Sequence, residues 1–537
     1  MPNPDLDPRT PVLVGVGQAS ERTDDAGYRG LSAVGLAAEA AREALADTGA
    51  DPSAVAAAVD TVAGVRQFEI SFPGAPAPLG RSDNYPRSVA RRVGADPARA
   101  ILEVVGGQSP QHLVTELAGA VAAGRCEVAL LVGSEAISTV RHLARADDRP
   151  DFTERVGGQL EDRGFGLEGV VVRRQVDHGL TSAASQYALC ENARRARLGS
   201  DRERYAAGMG ELFAPFSRVA ATNPHAAAPT ARTPAELATP GERNRMIADP
   251  YPRFLVSRDQ VNQGAAAVLM SVAVADRLGV PTDRRVYLHG HADLRERDLL
   301  DRADLGAAPA SVQALRLALD LAGVELAEVA TLDLYSCFPI AVAAVADAFG
   351  LAADDPRGLT LTGGLPFFGG AGNNYSMHAI AETVHRARAA PGSVGLVGAN
   401  GGILSKYSVG LYSTEPVGWR PGRDAEAQAG IDGWAGVEQA RDADGWATVE
   451  TYTVNHTRRG PIGVVVGRLE SDGRRFLARA VDGDDDLLGL LTGGEPLEAR
   501  VFVRSSGEGN RVATGRARLA DGLTAFTENR RPEWRNR

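Results

Sequence analysis

The chain of 537 residues carries a net charge of −10 and no basic block, which argues against nucleic acid or an anionic membrane as its main partner. It is long enough for two or three domains with large cores, and no stretch stays apolar long enough to span a bilayer. The polar opening Met1 to Asp5 lacks the features of a secretory leader, and Cys126, Cys190 and Cys337 are odd in number and far apart, so the reading is a cytoplasmic protein with reduced thiols and no metal-ligand spacing.

In chain order, Pro11 to Gly17 is a short apolar strand and Leu31 to Thr48 is an alanine-rich helix. Asp60 to Val65 is a second strand. A well-marked unit follows: strand Ala100 to Val105, Gly106 and Gly107, helix Gln111 to Ala123, and strand Glu127 to Val132. That order argues for a parallel sheet covered by helices. Residues 140–255 are rich in Arg, Asp and Pro, with helices at Ser182 to Leu198 and Asp201 to Leu212 and few strand signals, and read as an excursion over the sheet. Alternation then resumes. Gln263 to Val274 is apolar, Val286 to His291 a strand, Ser311 to Ala322 a helix, and Leu332 to Tyr335 a strand entering the helix Pro339 to Phe349. A glycine-rich loop, Gly363 to Gly372, precedes the helix Ser376 to Ala389, and the strand Ser393 to Val397 runs into Ala399 to Tyr407. Each half places a glycine turn before a helix and ends in a strand running into Gly, which suggests a duplicated α/β core.

Beyond Pro416 the composition shifts. All four tryptophans, Trp419, Trp434, Trp446 and Trp534, lie there. Trp446 to Thr457, Ile462 to Leu469, Phe476 to Val481 and Leu497 to Arg504 alternate as strands separated by turns, the pattern of a small β-barrel. The expected division is 1–139 with 256–275 as the first half, 140–255 as the loop domain, 276–415 as the second half, 416–445 as a linker and 446–537 as the barrel.

Among 58 basic residues only Lys406 is lysine. In a chain that otherwise uses arginine throughout, a compact, rotatable ammonium at a glycine-rich turn draws attention, because Arg cannot copy it. Surface survival by chance is the competing account.

The runs GGQSPQHL, EVALLVGSEA, NQGAAAVLM, LYSCF, GGLPFFGGAGNNY and GLVGANGG, in this order, resemble the thiolase superfamily over roughly residues 8–415. The similarity is greatest to its sterol-carrier-protein-type branch and to actinobacterial thiolase-like proteins with an added C-terminal domain, which commonly carry the label acetyl-CoA acetyltransferase. The resemblance implies a duplicated thiolase fold, five-layered α/β/α/β/α, with a loop domain over the site and a coenzyme A thioester as ligand. It leaves monomer and homodimer both open. The arginines meeting the coenzyme A phosphates are not fixed; Arg194, Arg195 and Arg218 lie in the excursion.

Carried over residue by residue, the resemblance puts the family's nucleophilic cysteine at Gly107, its motif histidine at Gly370 and its acid/base cysteine at about Gly398. An acyl-cysteine needs a thiolate and a base, so thiolysis by that route is not expected. Tyr335-Ser336-Cys337-Phe338 fills the slot of the family's His-Asp-Cys-Phe motif. Thiolase-like aldolases of steroid side-chain breakdown look similar here, with a tyrosine opening the motif, and Thr448 to Arg504 resembles their OB-fold partner. The resemblance therefore implies retro-aldol chemistry by Tyr335, with Lys406 nearby lowering the phenol's pKa. Asn374 and the N–H groups of Gly369, Gly370 and Gly372 would hold the thioester carbonyl, with Asn373, Gly107, Gly401 and Gly402 lining the pocket. Plainer accounts are a helix cap for Asn373 or Asn374, sheet packing for His378 and a buried apolar role for Cys337. His112 would face the same cavity. An inactive acyl-CoA-binding scaffold and a thiolase using a displaced Cys337 are the alternatives.

Overall fold

The structure is a computed structural model that describes residues 6–167 and 172–519. The readings made on Met1 to Asp5 and on Trp534 fall outside those residues.

Strands β1 (Pro11–Ser20), β2 (Thr61–Gly64), β3 (Arg99–Leu102), β4 (Val128–Ala136) and β5 (Glu161–Asp162) come first. The excursion adds β6 (Met246–Ala248) and β7 (Tyr251–Pro252), and β8 (Asn262–Ser271) returns to the core. The first sheet has the order β1-β8-β4-β2-β3-β5. Strands β9 (Tyr287–Arg295), β10 (Val329–Leu334), β11 (Val394–Gly401) and β12 (Lys406–Ser413) form the second, in the order β10-β11-β12-β9. Leu13 and Val286 bridge the two. In β1, β4 and β8 almost every residue is buried, because both faces of the sheet are covered; a one-sided sheet would alternate.

Two helices, Ser109–Ala122 and Tyr375–Ala389, lie between the sheets and touch strands of both. The helix Ala33–Asp47 covers the first sheet and Pro309–Ala322 the second. The result is the five-layered α/β/α/β/α arrangement. Ala40 and Ala44 bring the outer helix so close to β1 that a Cβ on Gly15 or Gly17 would overlap their carbonyl oxygens. Ser32 caps this helix, its Oγ accepting the Gly35 N–H at 3.0 Å, worth about 1 kcal/mol.

Around the core and the excursion, three differences from the sequence reading stand out. The second excursion helix runs from Arg202 to Thr222, past the Leu212 expected as its end. Pro215 sits inside it, but Phe213, Phe216 and Ala220 continue the apolar face and are fully buried, which offsets the lost hydrogen bond. Lys406 opens a full strand, β12, where a loop was expected. Third, β3 ends sooner than expected: the strand stops at Leu102, three residues before Val105.

The C-terminal strands are β13 (Asp444–Thr457), β14 (Gly460–Leu469), β15 (Arg475–Ala480), β16 (Arg500–Ser506) and β17 (Gly509–Ala513). They close as β13-β14-β15-β17-β16-β13, with β15 and β17 parallel and the helix Asp485–Gly493 between β15 and β16. This is the Greek-key order of an OB-like barrel. Its β13 also pairs with β6 of the excursion at Asn455 and Ala248.

Candidate functional site

The site forms where β10, the Gly401 end of β11 and the helix Ser109–Ala122 meet the glycine loop. The three glycines expected at the family's reactive positions, Gly107, Gly370 and Gly398, are each crowded by another side chain. A Cβ on Gly107 would overlap the Tyr335 hydroxyl and lie 2.6 Å from the Asn400 carbonyl oxygen. A Cβ on Gly370 would overlap the Ser257 hydroxyl, and one on Gly398 would overlap the Tyr407 hydroxyl. Each position is thus occupied by a neighbour, and none is a ready-made hole for the missing side chain.

Tyr335 follows β10 directly, its N–H donating to the Gly398 carbonyl at 3.0 Å. It is 6% exposed. Burial, then the Cys337 thiol, pushes the phenol well above its ordinary value. The expectation that Lys406 lowers it is not met. The Lys406 ammonium instead donates to the carbonyls of Val105, at 3.1 Å, and Gly166, at 2.6 Å. It lines a polar cleft of about 870 Å³ with Gln108, His112 and Asp293. His112 faces this cleft, half-buried between Asp293 at 3.5 Å and Glu116 at 3.6 Å. Burial opposes its charge, but these carboxylates and Glu103 win, raising it to about 9.

Asn373 and Ser376 tie the glycine loop to the Gly106–Gly107 turn. Asn373 Oδ1 accepts the Gly106 N–H at 3.0 Å, and its Nδ2 donates to Arg66 O at 2.8 Å. Ser376 Oγ donates to Gly107 O at 2.6 Å. Asn374 packs over Gly133 of β4 and makes no helix-cap bond. The expected cradle of loop N–H groups is partly spent: Gly370 N–H donates to Arg258 O at 2.8 Å and Gly372 N–H to Gly370 O at 2.7 Å. Gly401 lies against the Gln108 amide, and Gly402 O accepts from Tyr187 Oη at 2.8 Å.

Cys337 is buried beside Tyr187 and Asn400, and burial pushes its thiol up to about 12. At neutral pH it stays protonated and is a poor nucleophile. His378 is set apart from Tyr335. A chain of rings, Tyr335–Tyr375–Phe368–His378, separates it from the phenol, with centroid spacings of 5.4, 6.0 and 5.0 Å. Its Nδ1 faces Gln18 Oε1 at 2.7 Å, and burial lowers its pKa to about 3, so it is neutral.

Several site residues were missed from the sequence. Gln108 directly follows the glycine pair and fills the gap between Gly106 and Gly401. Tyr407 follows Lys406. Asp333, two residues before Tyr335 on β10, accepts Leu361 N–H at 2.8 Å, Thr362 N–H at 3.1 Å and Thr360 Oγ1 at 3.0 Å. It holds the turn that carries the glycine loop. Among the described residues, Gln108, Asn374, Asn400 and Tyr407 each keep a buried polar atom with no protein partner. Such atoms are uncommon in interiors; the Gln108 amide lies against Gly106 and Gly401, the Asn374 amide against Gly133 and the Tyr407 hydroxyl against Gly398.

The fold and site define a thiolase-fold protein with an appended barrel. The family model for the additional C-terminal domain of thiolase-like protein type 1 matches residues 426–509. A monomeric SCP2-thiolase-like protein type 1 from Mycobacterium smegmatis is 51% identical, with a TM-score of 0.81 over 95% of this chain and 100% of that one. The chain belongs to the SCP2-thiolase-like proteins of type 1. The Ltp2-ChsH2(DUF35) aldolase, 20% identical over 76% of this chain and 98% of its own, has a TM-score of 0.53 and shares the fold. So does human mitochondrial 3-ketoacyl-CoA thiolase, 17% identical, TM-score 0.53, over 76% of this chain and 100% of its own. No curated protein matches the chain. Among the described residues no helix is long and apolar enough to cross a membrane.

Proposed function

We propose that the protein binds a coenzyme A thioester and makes or breaks a carbon–carbon bond on it without an acyl-cysteine. The observation that carries this reading is the Tyr335 hydroxyl lying where a side chain on residue 107 would begin. The same placement removes room for a nucleophile and supplies a proton donor in its stead. A phenol held well above its ordinary pKa keeps its proton at neutral pH and can act as a hydrogen-bond donor and proton relay. In the bond-breaking direction the β-hydroxyl proton passes to the Tyr335 oxygen as the phenol's own proton passes to the enolate carbon, so the carbon–carbon bond breaks to a carbonyl compound and an acyl thioester with the phenol restored. Bond formation runs the same exchange in reverse. The unpartnered Asn374 amide would hold the thioester oxygen. Likeness to an aldolase of the same fold supports the reading at the level of fold only. Cys337 and His378 have no part in this chemistry, and Lys406 positions the Val105–Gly107 turn through its bond to Val105 O.

The test is mass-spectrometric turnover of β-hydroxyacyl and β-ketoacyl thioesters with and without free coenzyme A. Cleavage of a β-hydroxy ester without added coenzyme A is expected, falling at least about a hundredfold in Tyr335→Phe and unchanged in Cys337→Ser. Cleavage of β-keto esters only with added coenzyme A would overturn the reading.

A second reading is a binding protein without turnover. It is favoured by the depth at which Tyr335, Asn374 and His378 are buried. Tight thioester retention with no product from any ester would establish it.

A further inference from the structure

The polar cleft beside the candidate site holds a cluster that the chemistry above leaves unused. Glu103 directly follows β3, and His112 and Glu116 stand one turn apart on the helix Ser109–Ala122. Residues four apart share one face of a helix, so both side chains reach the side where Glu103 lies. One ligand atom from each of the three lies within 4.8 Å of the other two. His112 Nε2 is 3.6 Å from Glu116 Oε2, and its Nδ1 is 3.5 Å from Asp293 Oδ2. Two carboxylates and an imidazole whose second nitrogen faces a further carboxylate make the donor set of a first-row transition ion. Donors on one such ion, each at about 2.1 Å, stand about 3–3.5 Å apart, so the three need to close by only roughly 1 Å.

An arginine now shares this space. Arg163 Nη1 donates to Glu103 Oε2 at 2.6 Å and to Glu116 Oε2 at 2.5 Å, and its Nη2 donates to Glu116 Oε1 at 2.7 Å. The same guanidinium holds Glu161 at 3.0 Å through Nε and 2.9 Å through Nη2. One cation thus serves three carboxylates, and Glu103 among them is buried, where uncompensated charge weighs most. Arg163 lines the cleft, so it can leave Glu103 and Glu116 and keep Glu161. A second observation points to a ligand. Gln108, one turn before His112, lines the same cleft; it is 6% exposed, and among the described residues its Oε1 has no partner. A bare acceptor in that wall suits the water that fills an open position on a bound ion.

We propose that Glu103, His112 and Glu116 form a site for a divalent ion of the zinc class, which enters from the cleft and moves the Arg163 guanidinium towards Glu161. The ligands bracket the Gly106–Gly107 turn, Glu103 before it and His112 and Glu116 after it. The ion would therefore fasten the two ends of the segment on which the candidate site is built. The proposal is independent of the thioester reading, because its test uses the metal alone.

That test is calorimetric titration of the full chain, first stripped with a chelator, with Zn²⁺. One ion per chain is expected. His112→Gln and Glu116→Gln should each weaken it at least about a hundredfold, and Asp293→Asn, which removes only the partner of the imidazole, about tenfold. Arg163→Gln removes the competing cation and should tighten binding about tenfold. Both helical ligands are about a third exposed, so their variants should keep the fold, which circular dichroism checks. Co²⁺ in place of Zn²⁺ reads the ligands directly: visible absorption bands should appear with the wild type and vanish with His112→Gln. Equal binding by the wild type and His112→Gln would place the ion elsewhere and overturn the proposal. So would no binding by the wild type. Binding by Arg163→Gln alone would make the arginine the permanent occupant and overturn it as well.

Discussion

At the scale of single residues, the site is defined by what crowds its glycines. Gly107→Cys would install a thiol where the resemblance to thiolases expects their nucleophile but places its Cβ on the Tyr335 hydroxyl. The variant should lose about 1–3 kcal/mol in urea unfolding and show no acyl-cysteine by mass spectrometry after incubation with a thioester. Tyr335→Ala in the same chain should relieve only part of the loss, because the Asn400 carbonyl oxygen remains 2.6 Å away. An equally stable, readily acylated Gly107→Cys protein would show that the turn yields. His378 predicts a pH effect. Its folded pKa of about 3 lies below the unfolded value of 6.5, so between these values the unfolded chain takes up a proton that the folded chain refuses. Its contribution is fully present above pH 6.5 and is lost as pH falls towards 3, by at most about 1.4 kcal/mol per pH unit. Stability curves of wild type and His378→Gln between pH 7 and 4 should diverge accordingly; parallel curves would count against a neutral buried imidazole. The glycines and Tyr335 were legible in the sequence because motif order is a local property. Their crowding was not, since Tyr335, Ser257 and Tyr407 reach these glycines from distant parts of the chain or a neighbouring strand.

At the scale of elements, one buried carboxylate joins four of them. Glu191 on the helix Ala183–Arg197 accepts Tyr205 Oη at 2.5 Å, Tyr251 Oη at 2.7 Å and the N–H of Ile340 at 2.7 Å. Ile340 lies in the first turn of the helix Pro339–Phe349, which follows Tyr335-Ser336-Cys337-Phe338, so the excursion anchors the segment carrying the phenol. Glu191→Ala strands two hydroxyls and an N–H in the interior and should cost at least about 3 kcal/mol in thermal unfolding. Glu191→Gln keeps the acceptor and should recover most of it. A melting point unchanged in the alanine variant would sink this role. The core strands were readable because apolar runs flanked by glycine are strong local signals. Strand β12 was not, because it begins inside a glycine-rich turn and its pairing with β9 and β11 alone defines it. Strand β17 and the helix Asp485–Gly493 were likewise overlooked, being short and polar at their ends.

For the whole molecule, two features favour a self-sufficient chain. Strand β5 pairs with β3 through Ile101 and Leu102, covering an edge that would otherwise invite another sheet. Light scattering should therefore give the 56.3 kDa of one chain at micromolar concentration; a mass of twice that would refute the argument from edge cover. The barrel is held by buried arginines. Arg475 donates to Leu300 O at 2.8 Å and Ala303 O at 3.2 Å and pairs with Glu450, while Arg195 pairs with Glu495. Removing Arg475 leaves those carbonyls and Glu450 without their partner. Arg475→Ala should cost about 3–5 kcal/mol and make the barrel the first site of limited proteolysis. That a barrel follows Pro416 was visible from its strand pattern, but its docking was not, because arginines in a charged sequence read as solvated surface.

The seam between barrel and excursion also governs how the chain is made. Thr451 on β13 donates to Leu189 O across 262 residues of sequence, and β6 has its barrel partner only in β13. At roughly 5–20 residues per second, a ribosome needs on the order of 10–50 seconds to deliver that partner after the excursion helix has emerged. Throughout that interval the nascent excursion presents an unfinished edge, and a fragment ending before β13 would present it permanently.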